Sequence, residues 1–301
     1  MKFEIKKKIL QPIIKRLKKR GLGTAIFFIS LFLLNVALFT DIVTLKNDGL
    51  LRITFLNVGQ GDASLITLPG GAQIMIDGGP NPRDALQELS KVLSPFDRTI
   101  DLITSSHPQQ DHIGGLPEVI RRYRTSAYIS NGEKNTIGVY ETLIETLQKE
   151  NVPNIILSRG DRIRYRDSII EVLNPPKKLG EDLNENSIVL LLKSASTTAL
   201  FTGDIGAKTE KQILQYLEVG LPDIDILKVA HHGSKYSSSK EFLKALTPKI
   251  AVIQVGEKNR FGHPAKETIN RLKNVNTKIL RNDEDNTITL ISNGETIKIV
   301  K

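Results

Sequence analysis

The histidines of this chain are the residues whose placement most directly indicates chemistry. All five lie in short clusters that each follow an apolar run typical of a β-strand, and they are His107, His112, His231, His232 and His263. Two carboxylates, Asp77 and Asp204, have the same strand-end context. Imidazole and carboxylate together suit Zn, Mn or Fe, and such a site usually makes a bound water nucleophilic. The pattern therefore predicts a metal-dependent hydrolase.

The elements predicted from local patterns explain how distant clusters can meet. Apolar runs bounded by turn residues predict strands at 51–57, 63–68, 73–76, 100–104, 127–129, 155–157, 169–173, 188–192, 199–202, 224–229, 250–255, 278–280, 287–291 and 296–300. Helical spacing predicts helices at 83–93, 117–123, 140–149, 240–246 and 265–272. Such a mixture favours a layered α/β sandwich with helices outside and sheets inside. Loops at the carboxyl ends of strands in α/β sheets share one edge, where ligands usually bind. We therefore expect the clusters to lie together.

The charge of the chain is concentrated at its N-terminus. Of the formal +9, residues 1–45 carry nine Lys or Arg and two acids, which is +7 and leaves +2 for residues 46–301. The remainder is nearly neutral, which removes the simplest argument for a nucleic-acid-binding surface. The chain has no cysteine, so it has neither disulfides nor a thiolate metal site.

A hydrophobic segment follows the basic tail. Residues 21–40 are uncharged and include four Phe, which is enough for a helix to cross a hydrocarbon layer about 30 Å thick. The sequence predicts a basic cytoplasmic tail at 1–20, a transmembrane signal anchor at 21–43 and one domain at 50–301 outside the cytoplasm. A cleaved signal peptide is disfavoured because no small-x-small site ends the run. A buried core helix is disfavoured because the run is apolar all round. The prediction is a single-pass cell-membrane protein.

Three motifs in this order resemble the metallo-β-lactamase superfamily. They are Asp-Gly-Gly at 77–79, His-x-x-x-Asp-His-x-Gly-Gly at 107–115 and Thr-Gly-Asp at 202–204. The resemblance implies a four-layer αββα sandwich, here preceded by the N-terminal transmembrane helix.

Further segments are similar to the ComEC/Rec2 branch of that superfamily, the hydrolase domain of competence DNA-uptake proteins. They are Phe-Leu-Asn-Val-Gly-Gln-Gly-Asp-Ala at 55–63, Ala-His-His-Gly-Ser at 230–234 and Phe-Gly-His-Pro at 261–264. The resemblance extends from Leu51 to the C-terminus.

The resemblance implies a set of metal ligands, which are His107, Asp111, His112, Asp204 and His232. His107 would bind the first metal position, and Asp111 and His112 the second. Asp204 would bridge both. One member of the His231–His232 pair would complete the second position; His232 is favoured, which leaves His231 facing the substrate. Asp77 would orient the ligand loop through hydrogen bonds, although an Asp-Gly turn residue is the plainer alternative.

The sequence departs from the family at the first metal position. Gln109 stands where the superfamily usually has His and this branch often has Asp, and no histidine lies between His112 and Asp204. Asn186 occupies a place where this branch commonly carries Asn, so Gln109 and Asn186 would be weak or supporting ligands. We therefore expect Zn or Mn, with one tight site and a possible weaker second site.

Other residues are candidates for contacts with substrate. His263 precedes Pro264, a favoured first helical residue, and an imidazole beside a helix N-terminus can meet a phosphate oxygen. An exposed capping residue is the alternative. The predicted catalytic residues are His231, His263 and Asp111. The predicted substrate-binding residues are Gln60, Asp62, Ser234 and Lys235, for which a hairpin turn and a solvated connector are the plainer interpretations.

The resemblance implies a phosphodiesterase, foremost a deoxyribonuclease that acts on single- or double-stranded DNA in DNA uptake or degradation. A hydrolase of a cell-wall phosphodiester of the choline-phosphate or teichoic-acid type is the enzymatic alternative. A degenerate member that binds nucleic acid or a partner is the non-enzymatic one, with Gln109 as the sign of decay. The oligomeric state and the existence of a separate channel partner stay open.

Overall fold

The computed structural model describes residue 19 and residues 21–37, 49–217 and 223–301. The chain divides into two compact units, residues 1–45 and 46–301. In the first unit, residues 21–37 are helical. Within the described residues, no helix combines the length and the apolar character that crossing a membrane requires. The predicted tail at 1–20, apart from residue 19, and residues 38–43 of the predicted anchor lie outside the described residues, so both stay predictions.

The second unit contains two β-sheets in its described part. The eight-stranded sheet has the order β15-β14-β1-β2-β3-β4-β5-β6. Its strands are β1 Leu51–Phe55, β2 Ser64–Thr67, β3 Gln73–Ile76, β4 Leu102–Thr104, β5 Ala127–Ser130, β6 Asn154–Ile156, β14 Ile288–Ser292 and β15 Ile297–Val300. The seven-stranded sheet has the order β13-β12-β11-β10-β9-β8-β7. Its strands are β7 Arg162–Tyr165, β8 Ser168–Asn174, β9 Val189–Ser194, β10 Thr197–Phe201, β11 Ile226–Lys228, β12 Ile250–Ile253 and β13 Lys278–Arg281.

The described part of the second unit also contains helices. They are α1 Pro82–Val92, α2 Gln110–Ile113, α3 Leu116–Arg122, α4 Gly138–Lys149, α5 Ala207–Tyr216, α6 Lys240–Leu246, α7 Lys266–Lys273 and α8 Asn282–Asp285. One apolar cluster joins the facing sides of the two sheets, where Phe55 and Phe201 stack with ring centroids 6.1 Å apart. A second packs α1, α3 and α4 on the eight-stranded sheet, and a third packs α5, α6 and α7 on the other. These clusters give the predicted helix–sheet–sheet–helix layering, because each sheet buries both faces.

Parallel pairing brings the chemistry-bearing loops to one edge of each sheet. β3 and β4 are parallel, with Ile76 opposite Thr104, so Asp77 and the loop that begins at Ser105 emerge side by side. In the other sheet β10, β11 and β12 are parallel neighbours. The loops after these strands carry Asp204, the His231–His232 pair and Gln254. The sheet edges therefore place the motifs as the strand-end pattern predicted.

The predictions missed four elements, which are β7, α2, α5 and α8. Two of these, β7 and α5, lack a strong local signal. β7 alternates Arg162 and Arg164 with partly buried apolar residues at the end of its sheet, so it shows little hydrophobicity. α5 is largely polar, and Ile213 is its buried apolar residue. Both elements depend on packing against the rest of the domain, which short sequence windows do not reveal.

Candidate metal centre

Asp77 holds the loop that carries the first histidine cluster. One carboxylate oxygen accepts hydrogen bonds from the Ser106 hydroxyl at 2.8 Å and lies 3.0 Å from His112 Nδ1, and the other accepts from the Ser106 backbone N–H at 2.7 Å. The backbone N–H of Asp77 donates to the Thr104 carbonyl at 2.8 Å. Asp77 therefore has the orienting position that the family resemblance implied.

Glycines let the 77–80 turn pack directly on the end of the histidine cluster. A Cβ on Gly114 would lie 2.0 Å from the Pro80 carbonyl oxygen, and one on Gly115 would lie 2.2 Å from the Gly78 carbonyl oxygen. The backbone N–H of Gly78 in turn donates to the His112 carbonyl at 2.6 Å. The Gly-Gly ending is thus required by close backbone approach.

Three buried imidazoles are each held through Nδ1. His107 Nδ1 lies 3.0 Å from the Ser106 hydroxyl and 3.3 Å from the Ser187 hydroxyl. His112 Nδ1 faces Asp77, and His232 Nδ1 lies 2.9 Å from the Gln254 carbonyl oxygen. A hydrogen bond at Nδ1 fixes the ring orientation and leaves Nε2 to bind a metal.

The Nε2 atoms converge on two carboxylates. Oδ2 of Asp204 lies 3.3 Å from His112 Nε2 and 3.5 Å from His232 Nε2. Oδ2 of Asp111 lies 3.3 Å from His232 Nε2. His107, His112 and Asp204 form one group with metal-binding spacing, and Asp111, His112 and His232 form another. The five predicted ligands are therefore adjacent, with Asp204 central.

Unsatisfied atoms in this cluster test whether a metal fits. His107 Nε2, His112 Nε2, His232 Nε2 and Asp204 Oδ1 are buried without a hydrogen-bond partner. Buried polar atoms are rarely left unpaired, because the loss of solvation is costly. Imidazole nitrogens grouped with carboxylates are suitable donors for a divalent cation. The donor set therefore fits a metal.

The turn at the His-His pair directs neighbouring rings to the same carboxylate. His231 and His232 both adopt left-handed backbone angles, with φ of 50° and 52°. The His231 backbone N–H donates to the Gly203 carbonyl at 3.1 Å, next to Asp204. His231 Nε2 lies 3.9 Å from Asp204 Oδ2, and its side chain is 33% exposed, whereas His232 is buried. The geometry favours His232 as the ligand and leaves His231 at the solvent side.

The charges of the cluster shift several pKa values. Burial acts to lower the pKa of His232, but the carboxylates of Asp204 and Asp62 outweigh it and raise the pKa to about 10. Burial, aided by neighbouring His112, lowers the pKa of His107 to about 3. Burial acts to raise the pKa of Asp204, but His112 and His232 outweigh it and hold the pKa well below its usual value. The carboxylates thus attract positive charge, which a dication can supply while the imidazoles stay neutral.

Asp62 and Lys228 lie behind the histidines, which corrects one prediction. Asp62 was expected to contact substrate, but it is buried and forms an ion pair with Lys228. Asp62 Oδ1 also lies 3.2 Å from His232 Nδ1, and Lys228 Nζ lies 3.7 Å from Asp204 Oδ1. Asp62 therefore positions ligands. Sequence analysis missed Lys228, whose signal is a lysine inside an otherwise apolar strand just before the His-His pair.

Asn186 is also corrected, whereas Gln109 lies in the cavity beside the cluster. The Asn186 amide donates to Glu133 Oε1 and to the Gly180 carbonyl, both at 2.9 Å, and its oxygen accepts from the Gly180 backbone N–H at 2.8 Å. These bonds occupy the side chain and join its loop to the segment after β5, so Asn186 supports the site from outside and is not a weak ligand. Its neighbour Ser187, which sequence analysis missed, contacts His107 instead. The Gln109 amide donates to Asn184 Oδ1 at 2.6 Å.

A cavity of about 550 Å³ opens above the ligands. His231, His263 and Gln60 line it, together with Asp111 and Asp204. The His231 and His263 rings are 5.7 Å apart. The helix predicted at 265–272 spans Lys266–Lys273 in the structure, so His263 precedes its first residue by three positions. His263 therefore belongs to the cavity wall and does not cap the helix.

Two other predicted substrate contacts lie away from this cavity. Ser234 is buried, and its carbonyl oxygen accepts from the Thr268 hydroxyl at 2.8 Å. The Lys235 ammonium lies 5.1 Å from the centroid of the Tyr236 ring, outside the cavity wall. Of the four predicted substrate-binding residues, the structure brings Gln60 to the cavity; the plainer interpretation as a connector suits Ser234 and Lys235.

Comparison with known proteins identifies the family. A family model described as the metallo-β-lactamase superfamily matches residues 56–257. The matched range includes all five candidate ligands, and the cavity residue His263 lies after it. The chain belongs to the metallo-β-lactamase superfamily. Members of this superfamily are generally metal-dependent hydrolases, and the donor set described above agrees with that chemistry.

Several curated relatives of this superfamily member carry names linked to competence or recombination. ComE operon protein 3 of Bacillus subtilis is 28% identical over 81% of this chain and 33% of its own length. Recombination protein 2 of Haemophilus influenzae is 28% identical over 73% of this chain and 26% of its own length. Competence protein ComA of Neisseria gonorrhoeae is 27% identical over 77% of this chain and 31% of its own length. The chain thus spans about a quarter to a third of these relatives, and it is a superfamily metallohydrolase related to competence proteins.

Solved structures share the metallo-β-lactamase fold. YhfI from Bacillus subtilis, a metallo-β-lactamase fold protein, matches with a TM-score of 0.54 at 12% identity, over 77% of this chain and 96% of its own. CmlA from Streptomyces venezuelae, a diiron β-hydroxylase, matches with a TM-score of 0.51 at 12% identity, over 77% and 52%. At such identities these likenesses show the fold alone, and function has to be argued from the site.

Proposed function

We propose that this chain is a metal-dependent phosphodiesterase of the ComEC type that cleaves DNA outside the cytoplasm. The observation that carries the proposal is the placement of the ligand cluster at the floor of an open cavity whose wall includes Lys258 and Arg260. Cations at the rim attract a phosphodiester toward the floor. The competence and recombination names of the relatives support DNA as the substrate.

The metal would be Zn or Mn, held most firmly by Asp111, His112, Asp204 and His232. When bound, such a metal activates water and neutralises charge that develops on phosphoryl oxygens. His107 belongs to the first metal position, which we propose is the weaker one because residue 109 offers an amide rather than an imidazole or a carboxylate.

His231 and His263 act on the substrate from the cavity wall. His231 is one-third exposed beside Asp204, which suits a group that donates a proton to the leaving oxygen. Burial, together with His231 and His232, lowers the pKa of His263, so His263 is neutral near pH 7 and a poor proton donor. We therefore assign phosphate contact to His263 and proton donation to His231.

The proposal includes the location of the enzyme. Basic residues before an uncharged segment support an N-terminus in the cytoplasm and residues 50–301 on the outer side of a cell membrane. DNA would then be the nucleic-acid partner, and the membrane would be contacted through the N-terminal helix.

A metal-reconstituted activity panel tests the proposed function. The full chain, loaded separately with Zn and Mn, is offered bis-(p-nitrophenyl) phosphate, single-stranded DNA, double-stranded DNA and a choline-phosphate-substituted teichoic acid. We expect cleavage of the nitrophenyl ester and of DNA, and none by Asp204→Ala. If only the teichoic acid is cleaved, DNA is not the substrate and the cell-wall phosphodiester takes its place. Inactivity of a chain shown by elemental analysis to hold metal would overturn the enzymatic proposal.

A further inference from the structure

An exposed aromatic ring lies on the cavity wall beside the metal centre. Phe261 lines this cavity, and its side chain is 61% exposed. Its ring is nearly parallel to that of His263, at an interplanar angle of 18° and a centroid distance of 6.1 Å. The Arg260 guanidinium lies 5.9 Å from the Phe261 centroid. The ring is therefore largely open to solvent while it keeps these two neighbours.

The loop holds Phe261 in this position without help from a ligand. The Asn259 amide donates to the Gly256 carbonyl at 2.9 Å and to the His263 carbonyl at 2.7 Å. Its oxygen accepts from the His263 backbone N–H at 3.0 Å. Asn259 thus ties together both ends of the segment that carries Phe261. The backbone N–H of Gly256 also donates to Gln60 Oε1 at 3.3 Å, which fastens this loop to the adjacent β1–β2 loop.

The chemistry around the ring suits a polymer that has flat bases and an anionic backbone. Lys258 and Arg260 line the same cavity as Phe261, while Asp111 and Asp204 lie at its floor. A phosphodiester directed to the floor would bring a neighbouring base to the wall. Aromatic rings interleaved with cations are typical of sites for single-stranded nucleic acids, because every base offers a face for stacking. In a duplex those faces are covered by adjacent base pairs.

We propose that Phe261 is a base-stacking platform that makes the site selective for single-stranded over double-stranded DNA. This inference rests on the proposed function, since it assigns the strand form of the same substrate. Phe261 binds the base next to the scissile phosphate and takes no part in the chemistry. Arg260 strengthens the stack by facing the ring.

Fluorescence of 2-aminopurine tests the platform independently of turnover. A short single-stranded DNA with non-hydrolysable phosphorothioate linkages carries the probe base and is titrated with the metal-loaded full chain. We expect quenching with wild type and Phe261→Tyr, and loss of quenching with about tenfold or greater weakening of Kd for Phe261→Leu. Phe96→Ala, which removes a similarly exposed ring away from the cavity, is the matched control and should behave as wild type. Unchanged quenching and Kd for Phe261→Leu would overturn the platform.

Turnover separates failure of the platform from failure of the proposed function. For Phe261→Leu we expect kcat/KM on single-stranded DNA, divided by kcat/KM on bis-(p-nitrophenyl) phosphate, to fall about tenfold or more. An unchanged ratio in an active enzyme would overturn the platform and leave the phosphodiesterase intact. An equal fall on double-stranded DNA would overturn strand selectivity. Inactivity of the wild type on every substrate would overturn the proposed function, and the fluorescence titration would still decide the platform.

Discussion

Lys228 and Asp62 form an ion pair buried behind the metal centre, with both side chains 3% exposed. Asp62 approaches His232 at Nδ1, and Lys228 approaches Asp204 at Oδ1. Lys228 Nζ also donates to the Gly203 carbonyl at 3.0 Å. The pair therefore connects the β1–β2 loop to ligands that follow β10 and β11, on the side away from the cavity. Its position explains how loops from both sheets are held next to each other at the site.

We predict that breaking this pair destabilises the domain more than removing it. Lys228→Met or Asp62→Asn should each lower the free energy of unfolding by about 3–5 kcal/mol, because one buried charge is left uncompensated. The double variant should recover much of that loss. Denaturant unfolding measures all three. As a matched control, Lys249→Met removes an ion pair to Asp225 whose lysine is 69% exposed, and should cost less than about 1 kcal/mol. Additive losses in the double variant would contradict the prediction.

We predict unequal metal sites. Asp204→Ala and His112→Ala should abolish metal retention and activity, because both side chains are central to the ligand cluster. Gln109→Ala should cost much less, since an amide is a weak ligand and this one already donates to Asn184. Elemental analysis after dialysis measures retention. Two equally tight metals per wild-type chain would show that the first position is complete.

We predict different roles for the adjacent histidines. His232→Ala should lose metal, whereas His231→Ala should keep it and slow DNA cleavage by about 10²–10⁴-fold, as expected for loss of a proton donor. A nitrophenolate leaving group needs no proton and should restore much of the rate. If His231→Ala loses the metal and His232→Ala keeps it, the assignment within the pair is reversed.

We predict that the metal-free domain loses stability as pH rises. The folded pKa of His232 is about 10 against an ordinary 6.5, so the folded state binds this proton more tightly than the unfolded state. The stabilisation is complete below pH 6.5 and is lost as pH rises through about 10. Denaturant unfolding after chelation should show a steeper fall across this window for wild type than for His232→Gln. Parallel pH profiles would contradict the raised pKa.

We predict that the hydrolase domain faces outward. All nine basic residues among residues 1–45 lie before the uncharged segment, which favours a cytoplasmic N-terminus. Protease added to intact cells or protoplasts should digest residues 50–301. Protection of this domain until the cells are lysed would overturn the topology.

Local sequence patterns are sufficient to predict the family, the ligand types and most of the elements that present them. The spacing of His107, Asp111 and His112 within one short segment is a local property, and so is the apolar run before each cluster. Local patterns also predicted α6 at the bounds that the structure shows, because its apolar positions follow the helical period. What one segment contributes to the site can be recognised within that segment.

Which side chains face the metal centre, and which ones hold the ligands in place from behind, depends on the packing of the whole domain. Asp62 lies in a loop that suggested substrate contact, yet the fold turns it toward Lys228 from another sheet. Asn186 has the expected residue type, but Gly180 and Glu133 use its amide, and Ser187 contacts His107 from 80 residues away. Partners so distant in sequence are chosen when the two sheets pack and bury their polar groups together. Burial without a partner is costly, so the final pairing is set by the packed domain and not by any single segment.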